Sequence, residues 1–398
     1  MNFVIVGNGA AGIAAAEAIR KLDQDSPITI LSEEPCHYYS RIRLIDYLAG
    51  KVAEDGLLLK RPEWYQSQGI EVRLGERAVA FDPVRRELSC ASGARLGYDR
   101  LLIAAGAKSF LPPAPGIDQE MVFTLRTLAD ARRIVAAARD GRRVVMLGGG
   151  ILSLEAASAL QQLGGEITVV EYFERLLPRQ MDRQGSLVLQ GLFEALGMRF
   201  FLGAKSYEVT GAGTANGVRL ADGTTLPGDL VLVGAGVRPD TYLAQASGLA
   251  VAKGIEVNDR METAVAGIFA AGDVAQHRGV LYGIWPAAMQ QGQVAGTNMA
   301  GGEASFTGLA MSNTLKVAGI DLFSLGDIDP DDKLESVVFR DQGLYKKAVI
   351  KEDKIAGAIL LGDLSSRSAL HQAMNQGRII SDDDRRAMRQ GDFSLKSP

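Results

Sequence analysis

The chain has 398 residues, more than one hydrophobic core ordinarily supports, so two or three domains are expected. It is 47% apolar and 23% charged, the balance of a globular protein, and no apolar run approaches the roughly 18 to 20 residues that span a bilayer. A formal charge of -4 with no Lys/Arg block argues against non-specific nucleic-acid binding, while two cysteines, Cys36 and Cys90, and three scattered histidines, His37, His277 and His371, argue against an iron-sulfur or zinc site made by this chain alone. No metal ligand is nominated, and any redox chemistry must come from a bound cofactor.

The opening MNFVIVG begins a strand almost at Met1, leaving no room for a signal peptide, so a cytoplasmic location is expected. The run FVIV is followed by GNGAAG and an Ala-rich helical stretch through Leu22: strand, glycine turn, helix, the context a dinucleotide fingerprint requires. Gly7 permits the tight turn, Gly9 lets the backbone approach a pyrophosphate, and Gly12 lets the helix lie close to the strand. The free N–H groups and dipole of that helix start favour an anion. A second strand, ending in Ser32, Glu33 and Glu34, places a carboxylate where ribose hydroxyls can donate to it. Residues 70 to 100 then read as a meander of short alternating strands, IEVRL, AVAF and ELSC, in which Cys90 is a small buried hydrophobe.

The pattern repeats in RRVVMLGGGILSLEAASALQQLGGEITVVE, with a strand over 142–147, a turn over 148–153, a helix, and a strand ending in Glu171. Gly148 and Gly150 stand where Gly7 and Gly9 stood, and Ser153 replaces the third glycine. Two such units imply two dinucleotides, or one unit that has decayed. Glu171 would repel a 2'-phosphate and accept from a 2'-hydroxyl, so NADH is favoured over NADPH, although Arg175 four residues on is a candidate phosphate contact.

With these motifs in order, the chain resembles flavoproteins of the pyridine nucleotide-disulfide oxidoreductase superfamily. LLIAAGAKSFLPPAPG (101–116) is similar to the crossing from the FAD domain into the NAD domain, DLVLVGAGVRPDT (229–241) to the return, and TAVAGIFAAGDVA (263–275) to the second FAD motif. NTLKVAGIDLFSLG (313–326) and GLYKKAVIKEDKIAGAILLGD (343–363) resemble the small terminal domain of NADH:rubredoxin oxidoreductases, which nitrite reductase NADH-binding regions also carry. The resemblance implies an α/β fold of two Rossmann-like domains and a small α+β C-terminal domain. Its division is a discontinuous FAD domain over 1–112 and 235–310, an inserted NAD domain over 113–234, and a terminal domain over 311–398.

Carried over residue by residue, the resemblance assigns FAD to Gly7, Gly9, Gly12, Glu33, Arg41, Gly106, Asp273 and Trp285, and NADH to Gly148, Gly150, Ser153, Glu155 and Glu171. Arg41 matches an arginine that reaches the FAD; Arg43 is as well read as a structural residue. Glu155 stands where relatives place a carboxylate near the nicotinamide carboxamide, often paired with a lysine, whereas this chain has Asp46 in that region. Pro286 suits the start of a helix pointing toward the flavin, beside Trp285, which is read equally as a core tryptophan.

The implied function is hydride uptake from NADH and passage of electrons to a small iron-containing protein, rubredoxin or a ferredoxin-type subunit; a homodimer is compatible with it. Two alternatives stay open. A thiol-flavin enzyme reducing disulfide, peroxide or oxygen would carry a cysteine about ten residues beyond the ribose carboxylate, where this chain has Arg43 and Cys36 comes too early. A non-enzymatic flavin redox sensor or assembly subunit is the other.

Overall fold

The computed structural model describes residues 1–138, 142–205, 207–309, 312–317 and 319–395. The boundary expected at 310/311 and the last three residues of the expected terminal domain lie outside these. The described chain forms two compact units, one of residues 1–43, 52–108 and 237–309, the other of 44–51, 109–236 and 310–398. Among the described residues no helix is long and apolar enough to cross a membrane.

The first unit is built on a five-stranded parallel sheet in the order Ile268–Ala270, Arg100–Ile103, Phe3–Val6, Ile28–Ser32, Ile70–Leu74. The central strands are buried along their whole length, as strands covered on both faces must be. The helix Ala10–Leu22 follows the first strand and packs on the helix Trp285–Met299. Small residues set that spacing: a Cβ on Gly292 or Gly296 would lie 2.2 Å from the carbonyl oxygen of Ala11 or Ala15.

One expectation is corrected here. IEVRL is no part of the meander: Ile70–Leu74 pairs in parallel with Ile28–Ser32, and the short helix Pro62–Ser67 leads into it. It reads as alternating because it is the edge of the parallel sheet and lacks the burial of the inner strands. The antiparallel meander is Ala78–Asp82, Glu87–Cys90 and Arg95–Gly97, and Cys90 is buried in it. Cys36 and Cys90 form no disulfide.

The second unit contains another five-stranded parallel sheet, ordered Arg199–Leu202, Glu166–Glu171, Arg143–Leu147, Leu230–Val233, Val122–Thr124. A five-stranded antiparallel sheet follows, Ser312–Val317, Ile320–Gly326, Lys354–Leu361, Leu344–Lys351, Glu335–Asp341. Two helices, Arg367–Gln376 and Asp382–Arg389, cover its core around Leu360, Ile350, Leu370 and Met388. Ser381 and Asp384 form a capping box on the second of these, with acids in its first turn and arginines in its last.

The two sheets of this unit are joined by a buried ionic cluster. Asp182 caps the helix Arg183–Ala195 by accepting from the Gly185 N–H at 2.8 Å. Its other oxygen takes the Tyr345 hydroxyl at 2.5 Å and the Lys347 ammonium at 3.0 Å. Lys347 also reaches Asp332 at 2.7 Å and the Asp329 carbonyl at 3.1 Å. Burial alone would lower the Lys347 pKa, but the Asp332 and Asp182 carboxylates outweigh it and hold the amine above its ordinary value. Removing one member would leave a buried charge unpaired.

Candidate functional site

In the first unit the turn after Phe3–Val6 is shaped by what its glycines cannot carry. Gly7 has φ 118°, and a Cβ there would lie 2.1 Å from the Ala104 carbonyl oxygen; one on Gly12 would lie 1.9 Å from the Gly7 carbonyl oxygen. Gly9 is the opposite case: its Cβ would meet nothing within 4 Å, and it caps the helix without a side chain. The backbone there can take an anion at the helix start. Gly272 brings the short 3-10 turn Gly272–Val274, with Asp273, against the same helix start, since a Cβ on it would be 3.1 Å from the Ala11 Cβ. Gly7, Gly9, Gly12 and Asp273 thus share one neighbourhood. Gly106 adopts φ 72° and its carbonyl accepts from the Asp240 N–H at 2.9 Å.

The acidic pair divides its work. Glu34 is held within its own loop, accepting from the Tyr39 hydroxyl at 2.7 Å and from Arg41 at 2.5 Å. Glu33 is the more open, with Arg77 and Lys108 each 3.7 Å away. Arg41, nominated for FAD, therefore carries an ion pair to Glu34 with part of its donor fork engaged. Arg43 donates to the Gly56 carbonyl at 2.9 Å, the structural role weighed for it.

Trp285 is the first residue of its helix and 46% exposed, so it is not a core tryptophan. Its indole N–H donates to the Tyr38 hydroxyl at 3.1 Å. The Tyr38 backbone N–H donates to the Tyr65 hydroxyl at 3.1 Å, and that hydroxyl donates to the Asn8 Oδ1 at 2.9 Å. This chain runs from Trp285 to the middle of the glycine turn. Burial raises the pKa of both phenols, so they remain protonated donors at neutral pH. Sequence reasoning missed Tyr38, Tyr65 and Asn8; the only signal was the position of Asn8 between two turn glycines. Two buried amide donors, Asn8 Nδ2 and Gln291 Nε2, have no acceptor among the described residues, while Gln291 Oε1 accepts from the Gly272 N–H at 2.9 Å. A dinucleotide rich in acceptor oxygens fits that arrangement.

The second unit repeats the turn with altered parts. A Cβ on Gly148, φ 116°, would lie 2.5 Å from the Gly234 carbonyl oxygen, and one on Gly150 would meet nothing within 4 Å. Ser153, in place of the third glycine, is buried and its hydroxyl donates to the Gly234 carbonyl at 3.3 Å. A Cβ on Gly234 would sit 1.9 Å from that hydroxyl oxygen, whereas the first unit has Ala104 at this strand end. The equivalent positions are Gly12 and Ala104 in the first unit and Ser153 and Gly234 in the second.

Glu171 is buried at the end of its strand, accepting from the Gly149 N–H at 2.5 Å and the Phe173 N–H at 2.8 Å. Gly148, Gly150, Ser153 and Glu171 thus surround one turn. Glu155 lies on the helix Ile151–Gln162, and the short helix Leu44–Leu48 that carries Asp46 packs on it. Arg175 reaches the Pro178 carbonyl at 3.5 Å. Its charge also helps Lys333 hold Asp331 below the ordinary carboxylate range.

Two parallel sheets, each ending in a glycine turn, an open helix start and an acidic strand end, define a protein with two dinucleotide sites. The chain belongs to the pyridine nucleotide-disulphide oxidoreductase family, whose model matches residues 1–292; residues 312–378 match the rubredoxin NAD+ reductase C-terminal domain. It is 34% identical over 382 residues to the assimilatory nitrate reductase electron transfer subunit of Bacillus subtilis, covering 95% of this chain and 50% of that protein. It is 32% identical over 377 residues to the NADH-rubredoxin oxidoreductase of Clostridium acetobutylicum, covering 94% of each. The crystal structure of NADH:rubredoxin oxidoreductase from Clostridium acetobutylicum superposes with a TM-score of 0.82 at 29% identity over 96% of each chain. The chain spans about half the length of the Bacillus subtilis relative.

Proposed function

We propose that this protein is an FAD-dependent oxidoreductase that takes hydride from NADH and passes electrons to a separate small iron-containing protein, with rubredoxin the first candidate. The observation that carries the reading is the pair of glycine turns with open helix starts, joined in one chain to a segment matching the rubredoxin NAD+ reductase C-terminal domain. The likeness to a nitrate reductase electron transfer subunit supports an iron-bearing subunit of a larger enzyme as the second candidate. Functionally the chain divides at 112/113 and 234/235, with the terminal domain from 311, and it works in the cytoplasm.

FAD, when bound, accepts the two electrons of a hydride and can release them one at a time, which is why a donor of pairs and a one-electron iron centre need it between them. The residues supply binding and orientation. Gly9 and Gly150 expose helix N–H groups to pyrophosphate oxygens. Glu33 and Glu171 accept from ribose hydroxyls, and Glu171 disfavours a 2'-phosphate, which selects NADH. Gly7, Gly12, Gly148 and Ser153 hold the turns close to their sheets. Asp273 and Gly106 border the FAD, Arg41 reaches it, Trp285 lies beside the flavin, and Glu155 orients the nicotinamide carboxamide. No side-chain acid or base is required for hydride transfer, so none is assigned.

Anaerobic addition of NADH to the FAD-loaded protein bleaches the flavin band under this reading; a band that persists refutes it. Following reduction of rubredoxin and ferredoxin-type acceptors at several salt concentrations then identifies the partner and any charged docking patch. Wild-type turnover by Cys36→Ser eliminates the thiol-flavin alternative.

A further inference from the structure

We infer that the buried His277, acting with Asp259 and Arg278, positions the segment 278–284 and through it Trp285 at the flavin, and so sets the rate at which the flavin is reduced. This rests on reading Asp273 and Trp285 as flavin contacts, and it makes His277, Asp259 and Arg278 positioning residues that act through Trp285.

His277 ends the short strand Ala275–His277, four residues after Asp273 and eight before Trp285. Its side chain is fully buried, and a buried polar ring is kept for what it bonds. The ring Nε2 stands 2.8 Å from the Asp259 Oδ1. An ionised carboxylate only accepts, which assigns the ring proton to Nε2; among the described residues Nδ1 has no partner. Arg278 grips the same carboxylate, donating from Nε to Oδ1 at 2.9 Å and from Nη2 to Oδ2 at 2.6 Å. The hydrogen bonds from Arg278 and then His277 hold the Asp259 carboxyl down to about 2, so it is ionised throughout the neutral range.

Arg278 needs that grip. It adopts φ 48°, a left-handed conformation that strains any residue but glycine, and Gly279 follows at φ 78°. The His277 N–H donates to the Val280 carbonyl at 3.0 Å and the Val280 N–H to the His277 carbonyl at 2.9 Å. Those bonds close a two-residue turn, and two left-handed central residues are what a type I′ turn requires. With Arg278 58% exposed, the ion pair adds little to stability, but its bidentate fork fixes a direction. One ring then pins the rest of the segment. Buried Phe306 meets the His277 ring at 5.1 Å between centroids and the Tyr282 ring at 5.3 Å, and its N–H donates to the Asp259 carbonyl at 2.8 Å. Trp285 comes three residues after Tyr282, so the place of the indole inherits the setting of the turn.

The test is stopped-flow reduction of the FAD-loaded protein by NADH, with flavin absorbance and fluorescence recorded beside thermal unfolding. Arg278→Gly removes the fork while giving the left-handed position the residue that favours it, so the fold is kept and Tm is expected within about 3 °C of wild type. The bleaching rate at saturating NADH is expected to fall by about 10- to 100-fold, with the NADH concentration at half-maximal rate within about 2-fold. His277→Phe, which keeps a buried ring and loses the donor, is expected to slow bleaching likewise. His277→Gln, whose amide N–H can reach Asp259 in place of Nε2, is expected to stay within about 3-fold of the wild-type rate. Wild-type bleaching and flavin spectra in Arg278→Gly and His277→Phe, whether or not Tm falls, overturn the inference. Trp285→Leu is the separate control. If it alters the flavin spectrum and rate while the other variants do not, only the positioning role fails; if it too leaves both as in wild type, the placement of Trp285 at the flavin has failed and the inference falls with it.

Discussion

Gly234→Ala gives the most direct check on how the second unit holds its glycine turn. Gly234 has no left-handed φ, so alanine brings no backbone strain there, and the whole effect is steric. The new Cβ would sit 1.9 Å from the Ser153 hydroxyl oxygen and 3.1 Å from the Ser153 Cβ. Ser153 is buried, with only a short side chain to rotate away, so the helix Ile151–Gln162 must retreat or the Ser153–Gly234 hydrogen bond must break. Overpacking of this kind costs about 1–3 kcal/mol, and a lost hydrogen bond about 1 kcal/mol more. With NADH on this turn as proposed, and half or more of that cost falling on the bound geometry, NADH affinity drops by about 5- to 30-fold while FAD content stays constant. Adding Ser153→Gly removes the clashing oxygen and rebuilds the glycine and alanine combination of the first half. The double variant is expected to recover most of the loss, a coupling of about 1 kcal/mol or more between residues 81 apart in sequence. The assay is a double-mutant cycle on the NADH dissociation constant. Additive effects, or a harmless Gly234→Ala, refute the reasoning.

Three further outcomes follow from other contacts. Gly296→Val places side-chain atoms where even a Cβ is 2.2 Å from the Ala15 carbonyl oxygen, so the two glycine-packed helices separate and FAD retention falls; full flavin loading at wild-type stability would contradict this. Lys347→Met leaves Asp182 buried without its cation at a cost of about 3–5 kcal/mol, lowering Tm by about 6–20 °C, and a further Asp182→Asn change should restore part of it; a drop under about 2 °C would count against the cluster. Asp363, hydrogen-bonded by Lys346 and the Ser365 N–H, has its pKa lowered to about 2. Its folded value lies below its unfolded one near 3.9, so its contribution is complete above that pH and lost as pH falls toward about 2; in Asp363→Asn this part of the acid destabilisation should be absent, and identical unfolding midpoints against pH in the two proteins would refute it.

Much of the architecture could be read from the chain because the backbone imposes it. Gly7 and Gly148 stand at positive φ where a Cβ would strike a carbonyl, and the strands beside them are the unbroken apolar runs of a doubly covered parallel sheet. The strand Ile70–Leu74 carries no such local mark. Alternation of side chains is shared by an edge strand of a parallel sheet and a strand of a meander, and only its partner distinguishes them.

The sequence by itself determined the two glycine turns, the acidic strand ends and the absence of a cysteine pair, since each is a local requirement of backbone geometry or residue identity. Tertiary structure decided which side chains meet. It joined Trp285 through Tyr38 and Tyr65 to Asn8, set Ser153 against Gly234, gave Glu34 rather than Glu33 to Arg41, and seated Lys347 on Asp182. Apart from the Arg41 pair, these contacts span dozens to hundreds of residues. Their partners are fixed by strand order and helix packing, which no local pattern encodes.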